Sequence, residues 1–190
     1  MDELLQAGGR DPVAGRLALL GKSPRAAGVL RAAADLAKWS GPSAAAGRAR
    51  GVAVVKSFGT YVAEIADVSI GDRGEPRVHK VWCAVDCGVA VNPDVIRAQM
   101  EGGIGYGLGA ILFSEVAMKD GRPVPSNFND YRSLRINEMP EIEVTIIKSA
   151  EKPTGVGEPG LPPIGPAVAN ALARLGRARP RRLPMVREVV

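Results

Sequence analysis

The spacing of hydrophobic residues changes sharply near residue 45 of this 190-residue chain, and that change constrains the fold more than any other feature. In residues 1–40, apolar side chains recur at intervals of three and four, as in amphipathic helices. After a linker of small residues at 41–51, the pattern becomes one of Val, Ile and Tyr runs that favour strands. The sequence therefore predicts an α+β fold, with a helical lead segment at residues 1–45 and mixed strands and helices at residues 46–190.

Turn and cap residues divide the two parts into elements. Asp2, Asp11 and Pro24 have the residue types that begin helices, so Asp2 is predicted to cap the first one. Turns at residues 71–76 and at Asp120-Gly121 are typical of β-hairpins. The remaining elements are a helix from Pro93, a strand at 141–149 and a helix at 162–175.

The net charge of +5 raises nucleic acid as a partner, but the pattern argues against it. Basic residues concentrate in GRARPRRLPMVREVV (176–190) and do not alternate with aromatic residues as a stacking surface requires. We therefore expect a solvated basic tail and no nucleic-acid partner. No apolar run approaches the roughly 18 residues of a membrane span, and the acidic N-terminus lacks a signal-peptide pattern.

The two cysteines, Cys83 and Cys87, are predicted to be thiols in the core or lining a pocket. On a strand, four residues separate them by roughly 13 Å, beyond the reach of a disulfide. With a single His in the chain, this spacing also does not indicate a metal site, so no metal ligands are predicted.

The segment GGIGYGLG (102–109) contains glycines that resemble a dinucleotide-binding loop, but they follow what is already a helical pattern. On a helix, Gly103 and Gly107 share a face, while Gly102, Gly105 and Gly109 lie on or near another. Such glycines suggest close approach either by another backbone or by a bulky ligand, and the sequence leaves both open.

Glu158 lies between a glycine and a proline in GVGEPGLPPIGPAVANAL (155–172), so its backbone is expected to adopt a defined bend. A carboxylate buried there against Leu161 and Ile164 would be harder to ionise, which suits a general base near neutral pH. The alternative is an acidic residue that only favours the start of the following helix.

Three other polar residues are candidates with structural alternatives. Gln99, one turn before the glycines, offers donors and an acceptor for a heterocycle, or is simply exposed to solvent. Asn92 is a natural helix cap before Pro93. Asp86 could cap a helix, bind a ligand, or do neither.

Three segments in this order resemble the molybdenum-hydroxylase family of xanthine dehydrogenases and aldehyde oxidases. They are VDCGVAVNPDVIRAQMEGGIGYGLGA (85–110), SNFNDYRSLRINEMPEIEV (126–144) and GVGEPGLPPIGPAVANAL (155–172). The resemblance extends over nearly the whole chain and is greatest to the large, beta subunit of the isoquinoline 1-oxidoreductase type. It implies that residues 46–190 are the C-terminal part of a second molybdopterin-binding domain.

The resemblance implies an oxidative hydroxylation of an aldehyde or N-heterocycle with water-derived oxygen, in which Glu158 acts as the general base. Gln99 matches a residue that contacts the pterin cofactor, and Glu101, Gly102, Gly103 and Gly157 belong to the same matched segments. The implied cofactor is molybdopterin cytosine dinucleotide. [2Fe–2S] clusters are expected on a separate small subunit, because the four-cysteine pattern of such a cluster is missing here.

The chain departs from the family at its front, where the glycine-rich cofactor loops of longer members have no counterpart. It is therefore expected to be one piece of a molybdenum subunit, completed by a polypeptide that supplies the N-terminal cofactor-binding region. The expected compartment is the cytoplasm, with the periplasm as the alternative for a complete complex. The alternative function is that of an inactive truncated remnant, or an interaction module, that does not bind cofactor alone.

Overall fold

The computed structural model describes residues 1–43, 45–72 and 74–185. Three helices come first, α1 (Asp2–Ala7), α2 (Pro12–Leu19) and α3 (Pro24–Leu36). Asp11 caps α2 as predicted, since its side chain accepts hydrogen bonds from the backbone N–H groups of Val13 and Ala14.

Asp2 does not cap α1: that position is Met1, and Asp2 lies inside the helix, buried, with its carboxylate bound to Arg16. The prediction for Asp2 was wrong because an arginine fourteen residues along the chain pairs with it.

A four-stranded sheet follows, formed by β1 (Arg48–Ser57), β2 (Thr60–Ile70), β3 (Pro76–Asp86) and, later in the chain, β6 (Glu141–Ile146). The strand order is β1-β2-β3-β6; the first two pairs are antiparallel, and β3 pairs in parallel with β6. Since β6 runs in the same direction as β3, both strands end at the edge of the sheet where β1 turns into β2.

Helices cover both faces of this sheet. Strand residues alternate between two apolar clusters, so that Val81, Cys83 and Val85 face one side while Trp82 and Ala84 face the other. The first side is packed against α4 (Pro93–Leu112) and α5 (Ile164–Arg174), and the second against α2 and α3. This arrangement confirms the α+β fold.

The chain between α4 and β6 contains little regular structure. A short hairpin, β4 (Met118–Lys119) and β5 (Arg122–Pro123), has Asp120 and Gly121 at its turn, both with positive φ (51° and 75°). Positive φ at both central residues is the geometry that an Asp-Gly hairpin turn favours, which confirms this prediction. A 3₁₀ turn (Ile136–Glu138) then leads to β6.

The basic segment at the C-terminal end is only in part the solvated tail that the sequence suggests. Arg179 is 13% exposed and binds Asp2 at 3.3 Å, and Arg181 binds Glu3 at 2.6 Å. These residues return to α1 because it presents acidic side chains in its first turn. The prediction is wrong for the partly buried Arg179 and the buried Pro184 and Met185, whereas Arg177, Arg181 and Arg182 are exposed as predicted. Residues 186–190 lie outside the described part of the chain.

Candidate functional site

The candidate site lies at the edge of the sheet where β3 and β6 end and α4 begins. α4 is capped by Asn92, whose side chain accepts hydrogen bonds from the N–H groups of Asp94 and Val95, so that its predicted capping role is confirmed. Just after β6, the Ile147 N–H donates to the Val85 carbonyl and continues the strand pairing. The chain then runs along the end of the sheet toward Glu158.

Asp86, whose role the sequence left open, ties the end of β3 to α3. Its carboxylate binds the guanidinium of Arg25 through two hydrogen bonds of 2.8 Å and accepts the Gly88 N–H at 3.1 Å. The hydrogen bond from Arg25, opposed by burial, lowers the pKa of Asp86, and the same bond raises the pKa of Arg25. The loop before α4 is therefore held by a partly buried ion pair with two hydrogen bonds.

The glycines of α4 lie inside the helix and do not begin it, which excludes a dinucleotide-binding loop. A Cβ built on Gly103 would lie 3.3 Å from the Leu161 backbone N, and one on Gly107 would lie 2.6 Å from Cγ2 of Ile164. Another part of the chain backbone therefore occupies the face shared by Gly103 and Gly107. Of the two interpretations that the sequence left open, close backbone packing is the one found on this face.

That packing brings Gln99 next to the segment that carries Glu158. A Cβ built on Gly157 would lie 3.7 Å from Nε2 of Gln99, and one built on Gly160 would lie 3.0 Å from the Met100 carbonyl oxygen. The Leu161 N–H donates to the Glu158 carbonyl and closes a turn. Gln99, Gly103, Gly157 and Glu158 thus belong to one patch of the surface, although some 58 positions separate Gln99 from Gly157 (157 − 99 = 58).

Glu158 itself is exposed, whereas Pro159 and Gly160 after it are buried. The expectation that Leu161 and Ile164 would bury this carboxylate was wrong. Ile164 is fully buried, but it packs against Gly107. The described part of this chain therefore does not surround the Glu158 carboxylate with apolar groups.

Glu101 and Gly102 lie on other sides of α4. Both are exposed, and a Cβ built on Gly102 would meet no atom within 4 Å. Gly102 lines a cavity of about 530 Å³ together with Tyr106 and Tyr131, between α4 and the connection that precedes β6. The polar segment around Tyr131 is therefore in part the wall of a cavity.

Sequence reasoning missed Arg25 and Thr60. Thr60 is fully buried at the start of β2, and its hydroxyl contacts Thr154 and Gly155 in the segment before Glu158. The available signal was the turn SFGT (57–60), since a polar residue directly after a Gly with φ of 82° can aim inward. Arg25 gave no signal, because its partner is 61 residues away.

Cys83 and Cys87 are free and buried, which confirms their interpretation as core thiols. Among the described residues, no group of three or more His, Cys, Asp or Glu could hold a metal ion. Helices in the described ranges are each too short or too polar to cross a membrane.

Comparison with known families assigns the chain. The profile of the molybdopterin cofactor-binding domain matches residues 27–140, which form more than half of the chain. The chain belongs to this family. The matched residues include Gln99, Glu101, Gly102 and Gly103, and they end before Gly157 and Glu158.

Individual relatives of this molybdopterin-binding chain are named as parts of oxidoreductases. It is 41% identical over 189 residues to the beta subunit of isoquinoline 1-oxidoreductase from Brevundimonas diminuta, with 97% of this chain and 24% of that protein covered. It is 32% identical over 208 residues to one of the subunits of nicotinate dehydrogenase from Pseudomonas putida, with 100% of this chain and 17% of that protein covered.

Among solved structures, quinoline 2-oxidoreductase from Pseudomonas putida 86 resembles the chain with a TM-score of 0.60 and 26% identity. The alignment covers 66% of this chain and 17% of that one. The chain therefore spans about a quarter or less of the length of these relatives.

Proposed function

We propose that this chain is the part of a molybdenum hydroxylase that carries the general base and a set of cofactor contacts. The reaction would be the oxidative hydroxylation of an aldehyde or N-heterocycle, with the oxygen derived from water. The observation that carries the proposal is that the Gln99 amide lies beside Gly157, one residue before Glu158, with its Nε2 3.7 Å from the position that a Cβ on Gly157 would take. The N-heterocycles in the names of the relatives, isoquinoline, nicotinate and quinoline, support this class of substrate.

The exposed surfaces around Gln99 fit a flat heterocyclic cofactor. The Gln99 amide offers two donors and an acceptor, and nothing lies within 4 Å of a Cβ built on Gly102. Gln99 and Gly157, which lie together, would contact the cofactor, proposed as molybdopterin cytosine dinucleotide. Glu101, Gly102 and Gly103 of the same turn of α4 would contribute through the sides that residues 160–161 do not cover. When bound, this cofactor supplies the redox chemistry, and the protein supplies binding and proton transfer.

Glu158 would serve as the base at the reacting centre. Its carboxylate oxygens accept the proton that the water-derived nucleophile loses as the new carbon–oxygen bond forms. Pro159 fixes the backbone after it, and the turn closed by the Leu161 N–H keeps the carbonyl of Glu158 engaged, so that only the side chain is presented outward.

The exposure of Glu158 indicates that other protein completes the site. We propose two further polypeptide components: one that supplies the N-terminal cofactor-binding region, and a small subunit with [2Fe–2S] clusters that removes electrons. The proposed compartment is the cytoplasm, with the periplasm as the alternative for a complete complex.

The test is Glu158→Gln in the complete complex, with Glu151→Gln as control because Glu151 is an exposed carboxylate of the same connection. Glu158→Gln is expected to lower turnover by about a hundredfold or more, as loss of a general base does, with unchanged molybdenum content. Glu151→Gln should leave both unchanged. Unaltered turnover in Glu158→Gln would refute the assignment of the base.

A second candidate follows from the same exposed position of Glu158: the chain is an inactive remnant, or an interaction module without cofactor. Molybdenum analysis of the purified chain, alone and co-purified with the products of neighbouring genes, separates the two. About one molybdenum per chain in the co-purified material supports the hydroxylase. Absence of molybdenum in both preparations supports the second candidate.

A further inference from the structure

The segment that carries Glu158 is fixed from behind by the turn between β1 and β2. Thr60, with no exposed surface, has its Oγ1 2.6 Å from the Gly155 carbonyl oxygen and 2.6 Å from Oγ1 of Thr154. The Gly155 N–H in turn donates to the Phe58 carbonyl at 3.3 Å. The β1–β2 turn and residues 154–155 are therefore joined by three hydrogen bonds.

The chemistry of these groups sets the direction of each bond. A hydroxyl carries one proton, and the Gly155 carbonyl can only accept, so Thr60 donates to Gly155. The Thr154 hydroxyl then has to donate to the oxygen of Thr60. The Thr60 hydroxyl therefore lies between the Thr154 hydroxyl, from which it accepts, and the Gly155 carbonyl, to which it donates. Gly155 is three residues before Glu158.

A second loop holds the same segment from the side of β3. The Thr154 N–H donates to the Cys87 carbonyl at 2.9 Å, and the Val89 N–H donates to the Glu151 carbonyl at 2.9 Å. A Cβ built on Gly88 would lie 2.2 Å from the Lys152 carbonyl oxygen, so the two backbones touch. These contacts fix residues 151–154 and end before the two glycines that flank Val156.

We infer that Thr60 is a positioning residue for Glu158, an inference that rests on the proposed function. Gly155 and Gly157 lack the side chains that restrict backbone torsions, so the direction of the chain toward Glu158 depends on external anchors. Among the described residues, Thr60 has the one side chain that donates a hydrogen bond to the Gly155 carbonyl. Errors of about 1 Å in the position of a reacting group lower rates by about a hundredfold, so such an anchor affects catalysis without touching substrate.

The experiment compares Thr60→Val, which keeps the shape and removes the hydroxyl, with Thr60→Ser, which keeps the hydroxyl. In the 190-residue chain, amide hydrogen exchange at Thr154 and Gly155 is expected to become about tenfold faster in Thr60→Val, which matches the loss of one net hydrogen bond. Exchange should return to the original rate in Thr60→Ser, and exchange in α5 should not change in either variant.

In the complete complex, Thr60→Val is expected to lower kcat about tenfold or more with KM and molybdenum content unchanged, and Thr60→Ser should restore kcat. If Thr60→Val does not fold, Thr60→Ala, which also removes the hydroxyl that donates to Gly155, gives the same test. Unchanged exchange at residues 154–155, or unchanged kcat with faster exchange, overturns the inference.

A parallel measurement on Glu158→Gln distinguishes this inference from the function on which it rests. Full turnover in Glu158→Gln means that the proposed function fails, whatever the exchange rates. Loss of turnover in Glu158→Gln with normal turnover in Thr60→Val means that the positioning role alone fails.

Discussion

Glu64 is a carboxylate in the middle of the sheet with none of its surface exposed. Neither of its oxygens has a hydrogen-bond partner among the described residues. It alternates with Val62 and Ala66 along β2, which places it on the side covered by α4 and α5, and Cys83 lies opposite it on β3. Burial raises the pKa of Glu64 well above its ordinary value of 4.5. The pKa of the Cys83 thiol is also raised, mainly by burial and to a smaller extent by the nearby Glu64 carboxylate.

We expect Glu64→Gln to reduce the dependence of folding stability on pH. Because the folded chain keeps the Glu64 proton longer than the unfolded chain does, its stabilising effect is complete below about pH 4.5. The effect is lost as the pH rises toward the folded-state pKa, by about 1.4 kcal/mol per pH unit. Urea unfolding between about pH 4 and about pH 8 should therefore show a shallower decline in Glu64→Gln and a higher stability at the alkaline end.

The control for this measurement is Glu143→Gln on β6, where the side chain is 47% exposed. A solvated carboxylate changes stability by at most about 0.5 kcal/mol when replaced. If the free energy of unfolding changes with pH equally in the original chain and in Glu64→Gln, the buried carboxyl does not retain its proton on folding.

At the residue scale, the sequence identified side chains with local signals and missed those with distant partners. Asn92 and Asp11 were predictable because a cap and its partners are neighbours in the chain. The pairs Asp2–Arg16 and Asp86–Arg25 were not, because their geometry exists only after the elements have packed. Glu158 lies on a bend as predicted, but the buried position considered for its carboxylate is not found, since its own neighbours pack away from it.

At the scale of elements, α4 depends on the small size of the residues that face the Glu158 segment. We expect Gly107→Ala to destabilise the chain by about 1–3 kcal/mol, because the added methyl group would lie 2.6 Å from the buried Ile164 side chain. This cost would outweigh the gain of about 1 kcal/mol in helix propensity. Thermal or urea unfolding would measure it.

Gly102→Ala in the same helix is the matched comparison. No atom lies within 4 Å of the new methyl group, so only the gain in helix propensity of about 1 kcal/mol remains. Equal effects of the two substitutions on stability would contradict the packing of residues 160–164 against this face of α4.

The hairpins and the helical nature of α4 could be predicted because each is a local pattern. The position of β6 could not. Its alternating sequence shows a half-buried strand, but nothing in it shows that the strand pairs in parallel with β3. That pairing decides the site, since it leads the chain past Gln99 before it reaches Glu158.

At the scale of the whole molecule, the two described ends are joined through Asp2. Its side chain is 4% exposed and lies 3.0 Å from Arg16, 3.3 Å from Arg179 and 3.5 Å from Arg174. One buried carboxylate thus interacts with the positive charges of three guanidinium groups, from α2, α5 and the C-terminal segment. Removal of one partner from such a cluster leaves buried charge uncompensated.

Asp2→Asn is therefore expected to lower the free energy of unfolding by about 3 kcal/mol. It should also speed tryptic cleavage after Arg177, Arg181 and Arg182, because the anchor of this segment to α1 is weakened. Asp35→Asn, at an exposed position in α3, is expected to have a small effect on both. Unchanged cleavage in Asp2→Asn would show that other contacts hold the C-terminal segment.

The strand directions also give the molecule two unlike ends. One end contains the β1–β2 turn, the ends of β3 and β6 and the start of α4. The other end contains the turn after Ile70, about 33 Å away along β2. A dye, spin label or affinity tag attached at Asp72, which is exposed, would stand at the opposite end of β2 from Thr60 and the Gly155 segment that it holds. That remote corner is a natural handle for immobilising the chain and recording the arrival of its partners in real time.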